Sequence, residues 1–115
     1  MTLCALSTGI GAAGVAISRI SGPETSFLIK ALTNKELPKP REATLLELNN
    51  INNSRPIDQG IVLWFPGPKS YTGEDMAELN VHGSKAVVKE LQETLLSTKK
   101  CRLAEPGEFT KLAFS

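Results

Sequence analysis

The sequence predicts an α/β domain of the α+β kind, in which a mixed β-sheet of about five strands packs with two to three helices. Short β-branched or alternating runs recur along the chain, and two longer segments have the apolar spacing of amphipathic helices. Turn residues separate most of these segments. The 115 residues, 41% of them hydrophobic and 22% charged, suffice for a single domain over residues 1–115 with its own core.

Five short segments have the composition of strands, and a sixth segment is compatible with a short last strand. They are residues 3–6, 15–20, 43–48, 61–65 and 75–81, followed by 101–104. The run 61–65 is apolar on both faces, which predicts a strand inside the sheet with Trp64 in the core. Along 75–81 the residues alternate, so the apolar face with Leu79 at its centre is buried and Glu78 stands on the opposite side.

Two segments have helical periodicity, and the turn 105–109 is predicted to start a third helix. The first helix begins at Ser21, where Ser21 and Glu24 form a capping-box pattern, and it runs to about residue 33. The second helix runs from residue 84 to about 97. The predicted buried stripes are Phe27, Leu28, Ala31 and Leu32 in the first helix and Val87, Val88, Leu91 and Leu95 in the second.

Charge and hydropathy argue against several classes of protein. A formal net charge of +1 produces no long-range field that would collect nucleic acid. The longest apolar run, 61–65, is too short to cross a bilayer, and the N-terminus does not resemble a targeting leader. The sequence therefore predicts a cytoplasmic protein with no membrane segment. The small basic groups are predicted to be solvated and not to bind RNA; they are Lys35, Lys39 and Arg41, and Lys99, Lys100 and Arg102.

The residues needed for metal or nucleophile chemistry do not form a complete set. Cys4 and Cys101 lie far apart without CxxC or Cys/His spacing, so neither a zinc site nor a disulfide is indicated. His82 is the one histidine, which excludes a multi-histidine metal site. We expect it to cap a helix or lie at a helix terminus, with a general-base role as the alternative. No catalytic residue and no metal ligand is assigned.

Two glycine motifs resemble nucleotide-binding loops but lack required features. Residues 9–14 match GxGxxG after a strand, yet the run 15–20 predicts a second strand where a dinucleotide fold needs a helix. Residues 67–70, GPKS, are similar to the end of a P-loop. They lack an adjacent Gly-Lys pair, and Leu63 stands where the first glycine belongs. Neither motif is predicted to bind a nucleotide.

The stretch 67–83, GPKSYTGEDMAELNVHG, has the character of a ligand site. Glu78 stands at mid-strand, where a rigid element holds a carboxylate for binding. A carboxylate accepts two parallel N–H bonds from an amino-pyrimidinone edge as it does from a guanidinium. Arg19, on the second strand, offers the complementary fork for a ligand carboxylate or carbonyl. The residues equally allow a structural ion pair of Arg19 with Glu78 or with Glu74.

Four blocks of the sequence carry a family resemblance: VAISRISGP (15–23), LPKPR (37–41), DQGIVLWFPGPKSYTGEDMAELNVHG (58–83) and RLAEPGEFTKLAF (102–114). Together they resemble the N-terminal domain of the MnmE (TrmE) family of tRNA-modification GTPases. The resemblance implies an α/β domain related to the tetrahydrofolate-binding domains of the glycine-cleavage aminomethyltransferase. It also implies a homodimer that holds a folate such as 5-formyltetrahydrofolate near the dimer interface.

By this resemblance, the folate supplies the one-carbon unit added to the wobble uridine of certain tRNAs, with the flavoprotein MnmG as partner. The folate-binding arginine of the family's RISG block falls on Arg19, and the glutamate of its GEDxxEL block falls on Glu78. The first loop, TGIGAAG (8–14), departs from the family, since it lacks the prolines and the arginine common there.

The resemblance covers only the N-terminal part of the family's architecture. A further folate-contacting lysine and the G domain, which binds GTP with potassium and magnesium, come later in the family. We therefore expect this chain to be a fragment of a longer GTPase and do not expect it to be an enzyme by itself. Two alternatives stay open: a purely architectural dimerisation module without folate binding, and an aminomethyltransferase domain of the glycine-cleavage type.

Overall fold

The computed structural model describes residues 1–8 and 14–114, and only the backbone of residues 7 and 8. The loop residues 9–13, which carry most of the GxGxxG pattern, lie outside this part. The strands are β1 (Thr2–Thr8), β2 (Val15–Ser21), β3 (Thr44–Asn49), β4 (Pro56–Phe65), β5 (Met76–His82) and β6 (Cys101–Leu103). The helices are α1 (Thr25–Thr33), α2 (Lys85–Ser97) and α3 (Glu108–Ala113).

The strands form one mixed sheet in the order β3-β4-β5-β2-β1-β6. β1 and β6 run parallel, and the other neighbouring pairs are antiparallel. The predicted α/β class and mixed sheet are confirmed. The described part of the chain has six strands instead of about five, because residues 101–103 pair with β1.

The hydrophobic core lies between one face of this sheet and the two longer helices. α1 packs against β3 and β5, and α2 packs against β4, β5 and β6. Leu79 of β5 and Trp64 of β4 are both buried in this layer, as predicted. Burying these apolar side chains is the main stabilising contribution to the domain.

The polar residues of β5 stand on the opposite face of the sheet, away from α1 and α2. Leu63, Glu78 and Arg19 are direct partners across β4, β5 and β2. All three are half-buried. Because partners across a sheet share a face, the register brings Arg19 beside Glu78.

The predicted capping box at the start of α1 is wrong. Ser21 is the last residue of β2 and pairs with Met76, so its backbone belongs to the sheet. Glu24 occupies the N-cap position of α1 without a side-chain capping bond. The local side-chain bond at this helix start is made by Thr25, whose Oγ1 donates to the carbonyl of Gly22 at 2.8 Å.

The buried face of α1 also differs from the prediction. Phe27 is exposed, and Ile29 is fully buried in its place. The Lys100 ammonium lies over the Phe27 ring, 5.5 Å from its centroid, a cation–π contact that covers part of the ring.

β4 is ten residues long, and its burial alternates. Val62 and Trp64 face the core, whereas Ile61 is exposed. β4 lies between β3 and β5, so its predicted interior position is confirmed. The predicted burial of both its faces is wrong, because α1 and α2 pack on one face of the sheet only.

Candidate functional site

A cavity of about 450 Å³ opens on the sheet face opposite α1 and α2. Arg19 and Glu78 line it together with Phe65 and Met76, which are direct partners at the adjoining ends of β4 and β5. The volume lies within the range of about 300–1,000 Å³ that small-molecule sites usually have. An apolar wall therefore stands next to a charged pair.

The charged pair follows directly from the β2–β5 register. Arg19 Nε donates to Glu78 Oε2 at 2.8 Å, and the two side chains are 37% and 24% exposed. Within residues 1–8 and 14–114, this is the only side-chain hydrogen bond that either residue makes. No described residue occupies the two Nη groups of Arg19 or the second carboxylate oxygen of Glu78, so these atoms can bind a ligand without displacing one of those residues.

The loop 66–75 between β4 and β5 brings Tyr71 to the cavity. The Asp75 carboxylate accepts from the backbone N–H of Gly67 at 2.8 Å and so closes the base of the loop. The Thr72 and Ser21 hydroxyls lie 2.7 Å apart in a buried position. These bonds tie the residues on either side of Tyr71 to the sheet.

Glycine is required at position 67, because the backbone of Gly73 approaches it closely within this loop. A Cβ atom at this position would lie 2.9 Å from the carbonyl oxygen of Gly73. The clash would be with backbone, which cannot turn aside as a flexible side chain does.

Besides the sheet and the loop 66–75, α3 also forms a side of the cavity and contributes Phe109 and Thr110. α3 starts from a turn of residues 105–108, closed by a bond from the Glu108 N–H to the Glu105 carbonyl at 3.0 Å. Gly107 has φ 81 and ψ −1, the third-position geometry of a type II turn. Pro106 stands before it, where this turn type favours proline.

The Glu108 carboxylate holds this turn to the sheet. Arg102 of β6 donates to it through both Nη atoms, at 2.9 and 2.7 Å, and the Glu105 N–H donates at 2.6 Å. These bonds lower the pKa of Glu108 to about 2, and the bonds from Arg102 have the largest effect. The same ion pair raises the pKa of Arg102 above its ordinary value.

His82 does not cap a helix, so that prediction is wrong. It is the last residue of β5, and its backbone N–H and ring Nδ1 both lie 2.9 Å from the Asp58 carboxylate. Burial raises the pKa of Asp58, but the hydrogen bonds from His82 outweigh it and bring that pKa below its ordinary value. The cap of α2 is Ser84, whose Oγ accepts from the Val87 N–H at 3.1 Å.

A second, shallower cavity of about 270 Å³ lies on the same open face, toward His82. Three apolar residues around it, Val15, Leu45 and Ile61, are 42%, 61% and 36% exposed. We call these three residues the apolar patch. Apolar side chains grouped on an uncovered sheet face are typical of a contact surface.

Of the two ion pairs that the sequence allowed for Arg19, the one with Glu78 forms. Glu74 lies in the loop 66–75 and does not line the cavity. Sequence reasoning missed Tyr71 and Phe109 as cavity residues. Tyr71 lies in the predicted site stretch, which was a usable signal, whereas Phe109 reaches the cavity only through the pairing of β6 with β1.

Neither a metal-binding cluster nor a membrane-spanning helix is present in the part of the chain that the structure describes. Residues 1–8 and 14–114 contain no group of three or more His, Cys, Asp or Glu side chains arranged to hold a metal ion. No helix in this part of the chain has the length and apolarity needed to cross a membrane.

Comparison with protein families gives a match over nearly the whole chain. The family described as GTP-binding protein TrmE N-terminus matches residues 2–115.

Individual relatives agree with this match. The chain is 61% identical over 114 residues to a tRNA modification GTPase MnmE of Pelagibacter ubique, covering 99% of this chain and 26% of that protein. It is 49% identical over 112 residues to the protein of the same name in Beijerinckia indica, covering 97% and 25%. It is 45% identical over 113 residues to the mitochondrial 5-taurinomethyluridine-[tRNA] synthase subunit GTPB3 of Danio rerio, covering 98% and 22%. The chain thus spans about a quarter of the length of these curated relatives.

Proposed function

Because the chain belongs to the TrmE N-terminal family, we propose that it is the folate-binding, dimer-forming N-terminal domain of a GTPase that modifies tRNA. The proposed ligand is 5-formyltetrahydrofolate or a related tetrahydrofolate, bound in the cavity at Arg19 and Glu78. The folate supplies a one-carbon unit for the wobble uridine. The flavoprotein MnmG and tRNA are partners of the full-length protein, whose G domain binds GTP, potassium and magnesium.

The observation that carries the folate proposal is the half-exposed pair of Arg19 and Glu78 beside an apolar wall. An exposed ion pair contributes little to stability, so stability alone is a weak reason for a pair at this place. The pair keeps two Nη groups and one carboxylate oxygen unengaged toward the described residues. It can therefore bind a ligand without first breaking a protein contact.

A pterin ring has the chemistry that these groups recognise. Its amino-pyrimidinone edge offers adjacent N–H donors to the Glu78 carboxylate, and charge-assisted bonds of this kind contribute roughly 1.5–3 kcal/mol. A ligand carbonyl or carboxylate suits the guanidinium of Arg19. Phe65, Met76 and Tyr71 supply apolar and aromatic surface for the ring itself.

The apolar patch supports the dimer. Val15, Leu45 and Ile61 share the open sheet face with the Arg19–Glu78 pair. A second copy packed there would cover the apolar patch and lie beside the ligand cavity. This surface equally suits an architectural dimer without folate, and the titration below distinguishes the two.

The cytoplasm is the proposed compartment. Cys4 and Cys101 are free, although their sulfur atoms lie 3.8 Å apart. Neighbouring thiols of this kind are expected where the compartment keeps cysteines reduced.

The test is a calorimetric titration of the 115-residue chain with 5-formyltetrahydrofolate, at protein concentrations above and below dimerisation. We expect saturable binding, weakened about tenfold or more in Glu78→Gln because a charge-assisted bond is lost. Glu74→Gln is the matched control, since Glu74 belongs to the same stretch but does not line the cavity.

Equal affinity in wild type and Glu78→Gln would remove Glu78 from the site. A wild-type dimer that does not bind folate would refute folate binding by this chain and favour the architectural module.

A further inference from the structure

α3 forms one side of the ligand cavity but has little packing of its own. It is six residues long, and none of its residues is buried. Phe109 and Thr110 nevertheless line the cavity. Because helices this short are marginal without tertiary support, the position of this wall depends on what holds the start of α3.

The start of α3 is held by one carboxylate. Glu108 accepts both Nη groups of Arg102 and the N–H of Glu105, so it joins α3, its turn and β6 at one point. Arg102 is itself fixed by the pairing of β6 with β1, where it lies opposite Leu3. The Ala104 N–H also donates to the Cys4 carbonyl at 2.9 Å and extends this attachment.

α3 also separates two cavities. A cavity of about 300 Å³ shares Arg19, Phe109 and Thr110 with the larger one. A displacement of α3 would therefore join the two spaces and remove the aromatic wall on which a bound ring would rest. Arg102 lines neither cavity, and Glu108 lines only the smaller one.

We infer that the Arg102–Glu108 ion pair is a positioning element of the ligand site, which sets ligand affinity by holding α3 against the cavity. This inference rests on the proposed function, because the affinity in question is that for the folate. Arg102 has no contact with the ligand; it acts through Glu108, and Glu108 acts through Phe109 and Thr110.

The size of the effect follows from the exposure of the pair. The Arg102 and Glu108 side chains are 46% and 24% exposed, so solvent screens the attraction between them. Removing it lowers the fraction of molecules in which α3 is docked, and the apparent dissociation constant rises by the same factor. We expect a loss of about two- to fivefold in affinity, well short of abolition.

The experiment compares wild type with Arg102→Gln, Glu108→Gln, the double variant and the charge-exchanged pair R102E/E108R. Hydrogen exchange of the amides of residues 108–113 measures the docking of α3 without ligand. Calorimetric titration with 5-formyltetrahydrofolate measures affinity. Glu93→Gln is the control, because it removes an exposed ion pair with Lys89 on α2, away from the cavity.

The expected result has three parts. Each single variant exchanges faster in α3 and binds about two- to fivefold more weakly, with the exchange of α2 unchanged. The double variant is no worse than either single one, because both remove the same interaction. The charge-exchanged pair recovers part of the protection and part of the affinity.

Other outcomes overturn the inference. Unchanged exchange in α3 shows that the pair does not position it, whether or not folate binds. Weak binding in Glu108→Gln with normal binding in Arg102→Gln shows that Glu108 contacts the ligand directly. If wild-type chain does not bind folate, the proposed function fails, while the exchange data still confirm or refute the positioning of α3.

Discussion

Replacing Thr72 with valine keeps the shape of the side chain and removes the hydroxyl that joins the loop 66–75 to β2. The Ser21 hydroxyl is fully buried and lies 2.7 Å from that of Thr72. In Thr72→Val it has no partner among the described residues, and at this burial water does not replace the lost one. A buried hydroxyl without a partner costs about 1–3 kcal/mol. We therefore expect the free energy of unfolding to fall by about 2 kcal/mol, which is roughly a 1 M decrease in the urea midpoint.

A double-mutant cycle assigns this loss to the bond itself. Ser21→Ala is expected to be milder, because the Thr72 hydroxyl still accepts from the Glu74 N–H at 3.3 Å. The double variant Ser21→Ala/Thr72→Val leaves neither hydroxyl orphaned, although the Glu74 N–H still loses its acceptor, and it should regain about 1–2 kcal/mol relative to the sum of the single losses. Losses that simply add, or a Thr72→Val variant as stable as wild type, would refute the reasoning.

Three further predictions concern other parts of the site. The pKa of Glu108 is about 2 against an ordinary 4.5, so its contribution to α3 docking is complete above pH 4.5 and is lost as the pH falls toward 2. Its carboxylate shift should titrate by NMR near pH 2 and move toward 4.5 in Arg102→Gln; an unmoved midpoint would contradict this. Gly67→Ala, with its Cβ 2.9 Å from backbone, should lower the unfolding free energy by about 1–3 kcal/mol. Gly73→Ala should lower the unfolding free energy by only roughly 1 kcal/mol, the cost of a positive φ in alanine. Equal urea midpoints for Gly67→Ala and Gly73→Ala would count against a backbone clash at position 67. Ile61→Lys in the apolar patch should dissociate the proposed dimer in sedimentation while changing monomer stability by less than about 0.5 kcal/mol; a dimer that persists would move the interface elsewhere.

Local pattern was sufficient to predict the face on which Glu78 stands. Its strand alternates, and only one face of a sheet can pack on the helices, so burial of Leu79 dictates the side of Glu78. Periodicity could not choose between Glu78 and Glu74 as the partner of Arg19. That choice depends on where the loop ends, and the bond from Gly67 to Asp75 ends it one residue before β5.

The predictions from sequence were wrong or incomplete where contacts with residues distant in the chain determine the structure. Ser21 has the local pattern of a helix cap, yet its pairing with Met76 extends β2 through it. Phe27 is apolar and fits a buried stripe, but the sheet meets α1 on the side of Ile29. Phe109 lies at the cavity because β6 joins β1, and nothing in its neighbourhood along the chain indicates that.

The pairing of β1 with β6 has a consequence for the order in which the molecule assembles. It pairs Cys4 with Leu103 and brings Cys4 beside Cys101, 97 positions away in the sequence. The entropy of loop closure disfavours such contacts until the intervening chain has folded. A nascent chain can build β1 to β5 with Arg19 already beside Glu78, yet it has no aromatic wall from α3. The site for the proposed ligand is then completed only when β6 and α3 have joined the sheet, and binding of that ligand would stabilise this final closure by mass action.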